Sequence, residues 1–168
     1  IPAGDVTYEQ IIAVHPYGNM LTVVEATGQQ ILDCLEYGVH SWPAEFGGFL
    51  HASGITYEIH TYIESGVSRD EDGMFAGVEG EYRIKNVMVN GEPLDLNKTY
   101  TVASHNYMLK QGGDGFNMFQ GNVILQNEVM LDNQVLITYI RDSLGGTVGE
   151  EYGDIYGQGR MTFVTEKP

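Results

Sequence analysis

Apolar and polar positions along the chain fall into two rhythms, one of helical spacing and one of strand alternation. Thr7 and Gln10 stand three residues apart ahead of Ile11, Ile12 and Val14, the spacing of a capping box opening a short helix over 8–14 that Pro16 stops. Met20 to Ala26 is apolar and β-branched, a strand. Thr27 and Gln30 repeat the capping-box spacing and open a helix over 28–40 with Ile31, Cys34 and Leu35 on one face. From Phe49 the rhythm turns to strands: Phe49–Ala52, Ile55–Tyr62, Tyr82–Val89 and Tyr100–Ser104, with Asn90-Gly91 as a hairpin turn. Val123–Val129 reads as a further strand and Asp132 to Leu144 as a helix. Asp132 is its expected cap, Val135, Leu136, Tyr139 and Ile140 its buried side, and Gly145-Gly146 its stop. Gly159 to Val164 closes the chain as a last strand. The expected architecture is one α+β domain, an antiparallel or mixed β-sheet packed with about three helices.

The 168 residues are enough for one domain that buries roughly 70% of its unfolded surface. The single cysteine, Cys34, forms no internal bridge, and without partners the five histidines make no zinc pattern. A net charge of −15, from 23 acids against eight Lys and Arg, repels polyanions and argues against nucleic acid or an anionic membrane as partner. No apolar run approaches the ~20 residues of a membrane span. Ile1 to Asp5 reads as a loop entering a domain, as though more chain preceded it.

Two bends carry the candidate chemistry. Gly112-Gly113-Asp114-Gly115-Phe116 combines residues that accept positive φ with an aromatic ring directly behind them, so it reads either as a ring displayed on a shaped loop or as a turn feeding a core phenylalanine. Asp114 stands where a phosphate would need a donor, which suits the bend to a neutral flat group. Pro16-Tyr17-Gly18-Asn19 displays a second ring on a rigid bend, and the two rings together would make a stacking clamp. Other candidates are weaker. Ser104-His105-Asn106 lacks a nucleophile elbow. Asp70-x-Asp72-Gly73 is half a calcium loop without its closing glutamate and reads better as a solvated hairpin tip. Trp42, ahead of Pro43, is expected to lie as a lid over the neighbouring helix.

The order of motifs resembles a known family. Val6-Thr7-Tyr8-Glu9, Pro16-Tyr17-Gly18-Asn19, Thr27-Gly28-Gln29-Gln30, Phe49 to Gly54, Val89 to Leu94, Lys98 to Ala103 and Gly112 to Phe116 run in the order found in the C-terminal domain of the 5′-nucleotidases, a family that also includes UDP-sugar hydrolases and 2′,3′-cyclic nucleotide phosphodiesterases. The resemblance implies that this domain grips a nucleoside, the base between Tyr17 and Phe116, with Gly113, Asp114 and Gly115 shaping the loop and Asn122 near the ribose. Tyr17 stands where relatives usually carry phenylalanine. It further implies an N-terminal metallophosphoesterase domain, lying before Ile1, that holds two divalent metal ions and hydrolyses the phosphate ester. No cofactor and no catalytic residue is then expected in this chain, which would be inert by itself. Its expected partners are a nucleotide or nucleoside and the missing domain, and its expected location is extracellular, periplasmic or at the cell surface. A cyclic-nucleotide or nucleotide-sugar hydrolase, and a binding module that keeps only the fold, remain open.

Overall fold

The computed structural model describes residues 1–154, 157 and 159–167. Helix α1 spans Tyr8–Val14 and α2 spans Gly28–Gly38, each behind a complete capping box. At α2 the Thr27 hydroxyl accepts the Gln30 N–H at 3.2 Å, and Gln30 Oε1 accepts the Thr27 N–H at 2.9 Å. Two amide donors that a helix start leaves free are thereby satisfied. Thr27→Ala is expected to cost about 1 kcal/mol, read as a lowered urea midpoint with unchanged slope; an unchanged midpoint would mean that the cap contributes nothing.

Strand β1 (Leu21–Thr27) is central in a three-stranded antiparallel sheet, between β7 (Thr99–His105) and β8 (Ile124–Gln126). A second, mixed sheet has β2 (Ile55–His60) between β5 (Ile84–Val89) and β9 (Met161–Val164), with the two-residue β6 (Glu92–Pro93) on its edge; β2 and β9 run parallel. The segment carrying Asp70-x-Asp72-Gly73 forms a separate hairpin of β3 (Val67–Arg69) and β4 (Phe75–Val78). Its tip closes inward on itself: Asp70 Oδ1 accepts the N–H groups of Asp72 and Met74 at 3.0 and 2.8 Å. Asn90 and Gly91 both take positive φ, 50° and 84°, in the turn between β5 and β6. Helix α2 contacts both larger sheets, and its Ile31, Cys34 and Leu35 enter the core with Val24, Ile59, Ile84, Leu109 and Phe119. The α+β architecture is thus the one the patterning predicts.

Several elements differ from expectation. Phe49–Ala52 is not a strand; Phe49 and Leu50 pack on the core from an irregular segment. The strand expected over 123–129 is confined to Ile124–Gln126, a sheet edge whose three residues are exposed. Helix α4 covers Asp132–Thr138 and continues as a π-helical turn over Tyr139–Ser143. Asp132 is its first residue, not its cap, and Leu131 in the cap position offers no side-chain bond. Of the face expected to be buried, Tyr139 is exposed, and Asn133 is the helix's buried residue. Trp42 lies 5.2 Å from the Phe163 ring on β9 rather than over a helix. A short helix α3 (Asn106–Leu109) follows β7 directly.

Candidate functional site

The first bend leads into β1, and the second follows α3 from the end of β7 that pairs with the start of β1. Helix α1 stops at His15 and Pro16, Gly18 takes φ +66°, and β1 begins at Leu21, paired with His105 at the end of β7. Asn106, the first residue of α3, then locks the loop down. Its Oδ1 accepts the Met20 N–H at 2.9 Å, and its own N–H donates to the Met20 carbonyl at 2.8 Å. The Asp132 N–H holds the same loop through the Asn19 carbonyl at 2.9 Å. Tyr17 therefore stands on a bend fixed at its base, with its ring 86% exposed.

His105 caps α3: its Nδ1 accepts the Met108 N–H at 3.1 Å, and burial holds the imidazole below its ordinary value, so the ring stays a neutral acceptor. Ser104 gives its hydroxyl to Met108 Sδ at 3.6 Å, not to an imidazole. The Ser104-His105-Asn106 stretch is therefore a helix cap without a nucleophile–base pair. A largely apolar cavity of about 330 Å³ opens beside it, lined by His15, Leu21, Val135 and Leu136 among others.

Past α3, Gly112, Asp114 and Gly115 take φ of 70°, 54° and 93°. What presses on this bend explains its glycines. A Cβ on Gly113 would stand 2.2 Å from the Tyr107 ring, and one on Gly115 would stand 2.0 Å from the Tyr37 hydroxyl. Both glycines are buried and offer close packing, not an open cradle. Asp114 is exposed. Its Oδ1 accepts the Tyr107 hydroxyl at 3.2 Å, and its N–H reaches the Tyr107 oxygen at 3.3 Å. Tyr107 is 38% exposed, so part of its ring is open while its far end is anchored.

Phe116 is placed differently from the clamp expectation. It is 2% exposed, edge-on to Tyr37 at 4.9 Å and stacked on Phe46 at 6.2 Å, with Gly48 close to its rim. Of the two readings of Gly112 to Phe116, the turn feeding a core phenylalanine is the one seen. Asn122 is likewise occupied. Its Nδ2 donates to the Glu25 carbonyl at 2.8 Å and to Gln30 Oε1 at 3.0 Å, and its Oδ1 accepts from Gln30 Nε2 at 3.0 Å. It fastens the segment before β8 to the start of α2. The structure thus brings Tyr17, Gly113, Asp114 and Gly115 to one end of the sheet and adds Tyr107, which the motif reading passed over. The one sequence signal for Tyr107 is Gly113, six residues on, which makes room for a ring.

Among the described residues, no group of three or more His, Cys, Asp or Glu side chains is arranged to hold a metal ion. Among the described residues, likewise, no helix is long and apolar enough to cross a membrane.

Residues 1–121 match the family described as "5′-nucleotidase, C-terminal domain". The chain is 30% identical over 142 residues to a 5′-nucleotidase of Vibrio cholerae serotype O1, covering 83% of this chain and 21% of that protein. Protein UshA of Escherichia coli is 26% identical over 160 residues, covering 94% of this chain and 25% of UshA. Among solved structures, a 5′-nucleotidase precursor from Thermus thermophilus superposes with a TM-score of 0.77 at 28% identity, over 99% of this chain and 29% of that one. The chain therefore spans between a fifth and a third of the length of these relatives.

Proposed function

The chain belongs to the 5′-nucleotidase C-terminal domain family, and on that premise we propose that it is the nucleoside-recognition part of a 5′-nucleotidase-type phosphohydrolase, acting outside the cytoplasm. The base lies between Tyr17 and Tyr107, and Tyr107 takes the place first expected for Phe116. Asp114 accepts hydrogen bonds from the sugar hydroxyls and repels the phosphate, turning it away from this domain. Hydrolysis falls to a metallophosphoesterase domain with two divalent metal ions, outside these residues. Such ions would activate the attacking water, and the work of this chain is to bind and orient the nucleoside.

The observation that carries the reading is the pair of Asn106–Met20 hydrogen bonds. They seat an exposed ring and an exposed ring-plus-carboxylate on one rigid edge, so little ordering cost remains when a ligand arrives. Stacking accepts any π face, so purine and pyrimidine nucleosides, and the nucleoside end of a cyclic nucleotide or nucleotide sugar, all suit it.

The test is a titration of this chain with adenosine, uridine and AMP, followed by amide NMR of residues 17–19 and 105–115. Nucleoside binding at roughly millimolar affinity, about 4 kcal/mol, should move both segments. Tyr107→Ala should weaken it by about 1–3 kcal/mol, the worth of one stacked base. Two unmoved segments at saturating nucleoside would overturn the reading in favour of a binding module with another ligand.

A further inference from the structure

Behind the glycine bend lies a second tyrosine that the nucleoside reading leaves unused. Tyr37, near the end of α2, is 1% exposed. Its ring stacks on His40 at 4.6 Å and meets Phe46, Phe75 and Phe116 edge-on at 5.8, 5.8 and 4.9 Å, so the ring is fixed on every side. Its hydroxyl stands where three segments converge. It donates to the Asp114 carbonyl at 2.9 Å and lies 3.3 Å from the Gly73 carbonyl at the tip of the β3–β4 hairpin, with the Arg69 side chain of β3 beside it. A phenol has one proton, and the shorter contact takes it. Burial pushes this phenol above its ordinary value, which favours the protonated hydroxyl as donor.

The bend is built around that hydroxyl. Gly115 approaches it so closely that a Cβ would overlap it, and the same Cβ would lie 2.9 Å from the Gly73 carbonyl. Asp114 has φ 54° and ψ 18°, a left-handed conformation that Asp tolerates better than most residues with a side chain but that local hydrogen bonds must hold against the extended and right-handed alternatives. Here both ends of the residue are gripped: its N–H by the Tyr107 oxygen and its carbonyl by the Tyr37 hydroxyl. The hairpin tip closes the far side, where Met74 would crowd a side chain on Gly112.

We infer that Tyr37 is a positioning residue for the ligand site: its hydroxyl holds Asp114 in the left-handed geometry that presents the carboxylate beside Tyr107, and it ties the glycine bend to the β3–β4 hairpin tip. This rests on the nucleoside reading. Ligand affinity then depends on a buried hydroxyl that touches no ligand and on a hairpin remote from Tyr17.

The test is a double-mutant cycle in this chain, with adenosine as the probe, using Tyr37→Phe, Asp114→Ala and the pair. Tyr37→Phe removes one oxygen from a packed ring and should leave the far-UV circular dichroism unchanged while weakening adenosine about tenfold. In the Asp114→Ala background the same change should weaken binding less than twofold, roughly, because its route runs through Asp114. A purely structural hydroxyl would lower the melting temperature and leave affinity alone, and that result, or equal effects in both backgrounds, overturns the inference. Asp70→Ala serves as a second probe that leaves the core intact. Freeing the Asp72 and Met74 amides from the Asp70 carboxylate should speed hydrogen exchange at Gly115, and an unchanged rate would remove the hairpin link. No adenosine binding by the unmodified chain removes the nucleoside reading and this inference together; normal binding with an unaffected Tyr37→Phe variant removes this inference alone.

Discussion

Replacing Phe116 with alanine is expected to destabilise the chain by about 3–5 kcal/mol, the range for emptying a buried aromatic site. The ring is 2% exposed and wedged between Tyr37 and Phe46, so its removal leaves a hole that the surrounding rings cannot fill without leaving their own packing. Against a total of about 5–15 kcal/mol for a domain, the loss is a large fraction. Binding would fall too, but only because folded protein is lost. Phe116→Leu separates the two causes: it keeps most of the buried volume and no π face. The expected result is a urea midpoint modestly below the parent chain, with adenosine affinity unchanged within about twofold. A Phe116→Leu chain that folds normally yet loses nucleoside binding would restore Phe116 as a stacking jaw and displace Tyr107.

That contrast marks what the sequence could and could not convey. Thr7 with Gln10 and Thr27 with Gln30 were legible because a capping box is complete within four residues, and both boxes form. Asn90-Gly91 was legible for the same reason, since a two-residue turn carries its own φ requirement. Gly112 to Phe116 announced where the chain bends. Which side the following ring faces depended on Tyr37 and Phe46, far away in the chain, and no local pattern reports that. The partner of Asn122 is hidden for a like cause: it is Gln30, 92 residues earlier. Phe49 and Leu50 pack on the core without joining a ladder, so apolar content alone suggested a strand that does not form. The candidate site was visible as two bends; the ring that completes it was not, because Gly113 reveals a need for space without naming the occupant.

Arg83→Met should also cost about 3–5 kcal/mol, and its cost should depend on pH in a way that identifies the cause. Arg83 is 6% exposed and spends its guanidinium on three carbonyls: Ile63 at 2.6 Å from Nε, and Val39 and Trp42 at 3.2 and 3.3 Å from Nη1. Beside it Glu36 is fully buried, with Oε2 accepting the Ile84 N–H at 2.9 Å and Oε1 making no hydrogen bond of full geometry. Burial raises the Glu36 carboxyl above its ordinary 4.5, while the nearby Ile84 and Arg83 amides and the Arg83 and Lys85 cations pull it back. A carboxyl raised by folding binds its proton more tightly in the folded chain. Its stabilising contribution is complete below 4.5 and is lost as pH rises through the higher folded value. Methionine in place of Arg83 removes a counter-charge and raises that folded value further, so the variant's deficit should be largest near pH 7 and shrink as pH falls towards 4.5 and Glu36 takes up its proton. Urea midpoints at the two pH values measure this. A deficit independent of pH would assign the whole loss to the three abandoned carbonyls and leave Glu36 out of the account.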